Sequence, residues 1–368
     1  MSGAVKAFAA RLAALLLALA CMAGGPALAA EPIEIPAGEG WTHPRSGISV
    51  PFEVGGYERT GAYEFVPEML DVGLVFDAPD GGDFVTIYIF PKTNGAVPVW
   101  FEQASKALQG REDFAGLALA NGPVAFAPTG YAERSGLMAI WAGDGDYSSA
   151  TGLAVFDAGD WFVKVRITSK YRSAANAAIW MNSVVNAIKV PEGLRSGSPA
   201  VPVQPCEQKL AFDGSASDAD VEMADVMEVG ILSSIIVRNL DEGDVAKGFN
   251  RPAPATWCLD SQLEGTQLVY RADGSTRSYL IAFGDNGNAV SVSPGFALGT
   301  AGDKAVIAPQ RYDIQMHLAD RVVIFPPQDR LPDFDRTIGV VNGRAPMMSI
   351  IETADGTKME MNSSYFED

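Results

Sequence analysis

Apolar and polar residues along this chain alternate mostly with period two, in short runs separated by Gly, Asp and Pro. A helical period replaces the alternation in only a few places. The clearest alternation is Trp161 to Ser169. Trp161, Val163, Val165 and Ile167 fall on one side and Lys164, Arg166 and Thr168 on the other, which predicts a strand with one buried and one wet face. Phe84 to Phe90 is apolar on nearly both sides and rich in β-branched and aromatic residues, so it belongs in the middle of a sheet. Leu74 to Phe76, Leu137 to Ala142, Leu153 to Phe156 and the opening run Gly47 to Pro51 add shorter strands, with turns at Asp80-Gly81-Gly82 and Ala158-Gly159.

Two stretches carry the helical period. Pro98 to Gln109 has Pro in the first turn, stops at Gly110, and carries Trp100, Phe101, Ala104 and Leu108 as its stripe. Ala174 to Val190 has Ser173 as N-cap and Ala178, Met181, Val185 and Ile188 on one side. In the second half, Asp218 to Val229 reads as a helix, Ile231 to Val237 as a strand and Gly248 to Pro254 as a loop. Hairpins follow. Gln267 to Tyr270 and Ser278 to Phe283 flank Asp273-Gly274, and Ala289 to Val292 follows Asp285-Asn286-Gly287. Both dipeptides supply the positive φ that tight turns need. Arg321 to Phe325, Gly339 to Val341, Met348 to Thr353 and Lys358 to Met361 are the remaining strands expected, the last two joined across Asp355-Gly356.

Between the halves, residues 191–205 hold four prolines and two glycines without apolar periodicity, the signature of a semi-extended linker. The expected organisation is therefore a leader (1–30), an α+β domain (31–190), the Pro-rich linker (191–205) and a mostly β domain (206–368), a barrel or sandwich of modest size.

The first domain resembles a known fold. A Gly47-x-Ser49-x-Pro51 opening strand, the late strand Trp161-Phe162-Val163-Lys164-Val165-Arg166 and a closing helix ending Ser183-Val184-Val185-Asn186-Ala187-Ile188-Lys189 together look like the PsbP-like fold, named for a photosystem accessory protein, over about residues 41–190. The resemblance implies an antiparallel sheet with helices, in a group made up mostly of accessory or binding modules. It rests on element order, so it transfers no functional residue.

The leader changes the picture of the compartment. Lys6 and Arg11 precede an apolar run, Leu12 to Ala20, and small residues lead to Ala27-Leu28-Ala29-Ala30, the layout of a secretory signal peptide. The run is too short to span a bilayer, which takes roughly 20 apolar residues. Cleavage at the small-residue site gives a periplasmic or secreted protein. The alternative is a lipoprotein anchored through Cys21, which follows Ala18-Leu19-Ala20, and only in that case is a membrane expected as a partner. The formal net charge of −18 becomes −20 once Lys6 and Arg11 are removed. A chain this acidic repels phosphate backbones, so nucleic acid is not expected as a partner. In an oxidising compartment Cys206 and Cys258 read as a disulfide opening the second domain.

Candidate chemistry is sparse. The mature chain has two histidines, and neither lies at a metal-ligand spacing from another His or a Cys. His43, in a polar stretch, reads as a surface residue, and His317 as a structural one. There is no H-E-x-x-H, G-x-S-x-G or S-x-x-K, and Gly295, Gly299 and Gly302 follow no nucleotide fingerprint. Carboxylates gather at Asp77, Asp80 and Asp83, at Asp144 and Asp146, at Asp213, Asp218 and Asp220, and at Asp333 and Asp335. Oxygen-rich loops suit Ca²⁺, but none has the ordered spacing of a calcium loop, and Asp is also a turn former. No catalytic, cofactor-binding or metal-binding residue is therefore assigned. The function expected is an exported envelope binding or accessory protein for an unidentified protein or small-molecule ligand. The alternative is an envelope hydrolase with a scattered carboxylate site.

Overall fold

The computed structural model describes residues 30–145, 148–195, 197–220, 256–295, 311–353 and 356–365. The chain divides into two units. The first comprises residues up to Val203 together with Gly284–Gly287, and the second comprises Gln204–Phe283 and Asn288–Asp368.

The first unit runs β1 (Glu31–Pro32), β2 (Trp41–Thr42), β3 (Ser49–Val50), β4 (Glu53–Val54), β5 (Tyr57–Val66), β6 (Asp71–Asp77), β7 (Asp83–Pro91), α1 (Val97–Gln109), β8 (Leu117–Phe126), β9 (Gly136–Gly143), β10 (Ala150–Ala158), β11 (Trp161–Ser169) and α2 (Ala174–Ala187). Its main sheet is antiparallel in the order β1-β5-β6-β7-β11-β10-β9-β8. The Phe84 to Phe90 run does take a central place. Val85, Ile87 and Ile89 stand opposite Ile167, Val165 and Val163, and the same row continues through Phe76, Leu74 and Val72 on β6, all buried. Fully burying each such side chain is worth about 1.5–3 kcal/mol, so this face anchors the unit.

The Ser173 side chain caps α2 by accepting from the Asn176 backbone N–H at 3.4 Å. The helix ends three residues before the Val190 that its periodicity suggested. The reason is tertiary: Lys189 exchanges two backbone hydrogen bonds with Ser49, at 2.8 and 2.9 Å, which pulls the chain out of the helix. Trp180, absent from the expected stripe, is buried and donates its indole N–H to the Gly55 carbonyl at 2.9 Å. The Pro-rich stretch is fastened down, with Arg195 donating to the Val190 carbonyl and the Ala200 N–H to the Arg134 carbonyl.

The expected wet face of β11 is mostly covered: Lys164 and Thr168 are buried, and Arg166 is only partly exposed. Alternation reports which side chains share a face, but not what later packs over it.

The second unit runs β12 (Gln204–Pro205), β13 (Trp257–Gln262), β14 (Leu268–Ala272), β15 (Tyr279–Ala282), β16 (Ala289–Pro294), β17 (Tyr312–His317), β18 (Arg321–Gln328), α3 (Phe334–Gly343), β19 (Met348–Thr353) and β20 (Gly356–Met361). These strands pair in chain order as one sheet, antiparallel except for the β12–β13 pair. Mostly β is therefore right, but the described pairing is a single continuous sheet in place of a barrel or sandwich. A helix does the work of a second sheet. Phe334, Ile338 and Val341 on α3 pack on a core that includes Val269, Tyr279, Ile281, Val292, Ile314 and Phe325.

That helix corrects the expected strand Gly339 to Val341. Asp333 caps its first turn by accepting from the Arg336 N–H at 2.7 Å. The i, i+4, i+7 spacing of Phe334, Ile338 and Val341 then outweighs the β preference of the paired valines. The Asp-Gly turn behaves as expected, with Asp273 at φ 47° and Gly274 at φ 65°. The elements expected within 221–255 lie outside the described residues.

Cys206 and Cys258 form the disulfide, with Cα atoms 4.8 Å apart and a sequence separation of 52. Beside it, Cys206 donates its N–H to the Leu259 carbonyl at 2.9 Å.

Candidate functional site

The most exposed of the long strands of the first unit is β8, at the free end of the sheet order. It pairs with β9 through an irregular register, Leu119 facing Trp141 and Val124 facing Met138. Among the described residues its outer edge has no partner strand. Its ten residues, Leu-Ala-Leu-Ala-Asn-Gly-Pro-Val-Ala-Phe, include no charge. Leu119 is 50% exposed and Val124 46%. Edge strands usually carry Lys or other charges that discourage pairing with a further chain, and this one relies only on Pro123 and the two irregular steps. Periodicity missed β8 because Ala, Gly and Pro have weak strand preference and the strand has no buried face to imprint an alternation.

A second feature lies inside the same unit. Lys164 stands directly opposite Tyr88, and Tyr88 directly opposite Gly73. A Cβ on Gly73 would come within 2.9 Å of the Phe65 ring and 3.3 Å of Tyr88, so the missing side chain makes room for both rings. The Lys164 ammonium lies 4.5 Å from the Tyr88 ring centre and 5.5 Å from that of Phe90. It reaches the Asp285 carboxylate and the Asp285 carbonyl, each at 2.8 Å. Asn286 donates to the buried Asp71 at 2.9 Å. Desolvation pushes the Asp71 carboxyl up to about 7, against the opposing pull of Asn286 and Lys164. Burial acts the same way on Asp285, but there the charge and hydrogen bond of Lys164, with Arg166 and Arg111 behind it, win and hold the carboxyl below its usual range. The cluster thus keeps one carboxyl able to hold a proton near neutrality beside another that stays ionised.

The histidines are both interior. His43 is fully buried, not on the surface as its polar neighbours suggested. One ring nitrogen pairs with the Ser46 hydroxyl and the other with the Met69 carbonyl, both at 2.7 Å, and the ring packs edge-on against Trp161. Burial is the largest influence on it and lowers its basicity. His317 is structural in the same sense. Its Nε2 meets the Ser291 hydroxyl at 2.9 Å, while Nδ1 has no partner among the described residues, and burial pulls the ring down to about 4.

The carboxylates singled out by sequence do not gather into one site. Asp83 accepts from Tyr57 at 2.8 Å and from the Arg172 Nε at 2.9 Å, with the Arg172 guanidinium stacked over Trp180. Asp77 accepts from Thr60, and Asp80 from the Gly82 N–H. Asp218 binds Arg336, Arg344 and Gln328, and Asp333 is the α3 cap. These are turn, cap and ion-pair roles. Among the described residues, no group of three or more His, Cys, Asp or Glu is placed to hold a metal ion. Asp146 and Asp220 differ: the first lies outside the described residues, and the second is an exposed loop residue at the end of a described segment. Also among the described residues, no helix is long and apolar enough to cross a membrane.

Set beside family models, curated proteins and solved structures, the chain matches none.

Proposed function

We propose that this is an exported binding or accessory protein of the cell envelope, that its first unit is a PsbP-like module, and that it captures an extended apolar peptide segment along β8. The observation that carries the reading is the uncharged, solvent-exposed outer edge of β8. An incoming strand there would gain main-chain hydrogen bonds, and Leu119 and Val124 would receive its apolar side chains. The Cys206–Cys258 disulfide fits an oxidising compartment, which supports export. The test is a peptide array probed with the full mature chain, with bound peptides mapped by amide hydrogen exchange. Protection of Leu117–Ala120 that disappears in Leu119→Lys and Val124→Lys supports the reading. Peptide binding that survives both substitutions refutes it.

A second reading, an envelope hydrolase, is favoured by one observation: the contrast between Asp71, raised to about 7, and Asp285, held low. Such pairs suit acid and base roles. A hydrolase panel run with chelator and with Ca²⁺ tests it, and turnover that persists in Asp71→Asn removes Asp71 from the chemistry.

A further inference from the structure

The far edge of the second unit holds a group of thioethers that the binding role above does not use. On β20, Lys358 and Glu360 alternate with Met359 and Met361, so the charges take one face and the sulfurs the other. Met361 stands directly opposite Met348 on β19, and Met359 directly opposite Ile350. Met348, Met359 and Met361 therefore share one face. Directly opposed Cβ atoms lie about 4.5–5.5 Å apart in such a ladder, a gap that three long, flexible side chains can close. Met347 and Met348 are buried in the small core with Val322, Ile324 and Ile350. Met359 and Met361 are not buried: they are 52% and 41% exposed. The inner pair is thus enclosed by packing, while the outer pair reaches solvent on the same face as Met348.

We propose that Met348, Met359 and Met361 form a binding site for a soft monovalent cation, Cu(I), at this sheet edge. Neutral thioethers have little affinity for Ca²⁺, Mg²⁺ or other hard ions and select Cu(I). The cysteines at 206 and 258 are already bridged, so thioethers are the soft ligands that remain available in the described structure. The acidic chain, net −18, favours a cation that its neutral ligands do not themselves compensate.

The test is a competition titration of the full mature chain with Cu(I) and a chromogenic chelator. It is repeated with Ag(I), which needs no reductant and leaves the disulfide intact, while the methionine methyl groups are followed by NMR. The expected result is one tight equivalent, with shifts confined to the methyls of Met348, Met359 and Met361. Losing the partner of a metal ligand already costs about 10–100-fold in affinity, so Met359→Leu with Met361→Leu should lose at least that much. Leucine at these exposed positions conserves volume, so the fold is retained and circular dichroism should match the parent. Failure of the parent to hold either ion against the chelator overturns the proposal. So does undiminished binding by the double variant. Neither outcome bears on the β8 reading, which involves other residues.

Discussion

Removing one member of the buried ion pair in the second unit should cost far more than removing an exposed one. Arg271 and Asp260 are 4% and 1% exposed, with Nε and Oδ2 3.0 Å apart. Asp260 also accepts from the Leu210 N–H at 2.9 Å and from the Ser261 hydroxyl at 2.8 Å. Arg271 donates to the carbonyls of Ser275, at 2.8 Å, and Gln208. The pair therefore stitches residues 208–210 onto β13 and β14, just beyond the disulfide at Cys206. Arg271→Met leaves the Asp260 carboxylate buried without its cation and strips two carbonyls of their donor. Breaking a buried pair in this way costs about 3–5 kcal/mol. A unit of this size shifts by about 2–4 °C per kcal/mol, so its thermal midpoint should fall by roughly 6–20 °C. Calorimetry and urea titration of the full chain, with the disulfide intact, measure the loss. The control is Arg344→Ala, which removes a 2.8 Å pair to Asp218 with half of the Arg exposed. That loss should stay within about 1 kcal/mol. Asp260→Asn combined with Arg271→Met should cost less than the two single losses added together, because the double variant, unlike either single one, leaves no lone buried charge. A loss in Arg271→Met no larger than in Arg344→Ala, or strict additivity in the double variant, would refute the reasoning.

Three further outcomes follow from the same structure. The unfolded chain protonates His317 near 6.5 and the folded protein only near 4, so stability should drop by about 3 kcal/mol as pH falls through that window; His317→Gln should flatten that limb in urea titrations taken at successive pH values. Asp71 acts in the opposite direction: its folded value near 7 lies above the unfolded 3.8, so stability is lost as pH rises through that range, by about 4 kcal/mol. Asp71→Asn should therefore be near neutral at pH 4 and stabilising at pH 8, and equal effects at the two pH values would contradict this. Gly55 sits at φ +65°, and a Cβ there would lie 2.5 Å from the Trp180 Nε1; Gly55→Ala should cost at least about 2 kcal/mol from left-handed strain and the displaced indole hydrogen bond, read as a fall in the first unit's melting midpoint.

How far these features could be read in advance depended on whether the decisive contacts were local. β7, β11, α1 and the start of α2 announce themselves through period, caps and turn residues, because those signals lie within a few residues of what they determine. β5 was missed because Glu58, Arg59 and Glu64 interrupt its alternation on a partly exposed strand. β8 was missed because its exposed, Ala-rich edge carries no buried pattern. α3 was misread because the β-branched pair Val340-Val341 outvoted a cap seven residues upstream. In the candidate sites, single residues such as Cys206 and Cys258 were legible once an oxidising compartment was expected. The buried charges were not.

What the sequence by itself determined was the strand-rich layout, the disulfide and the want of a motif that names a reaction. What only the tertiary structure decided was the environment of individual polar groups. Lys164 and His43 look solvent-facing from their neighbours in sequence, and both are interior, because burial depends on what packs across a strand and not on the strand's own alternation. The β20 edge is the opposite case: three methionines from two strands share a face through the register of a local hairpin, in which Thr353 stands opposite Gly356.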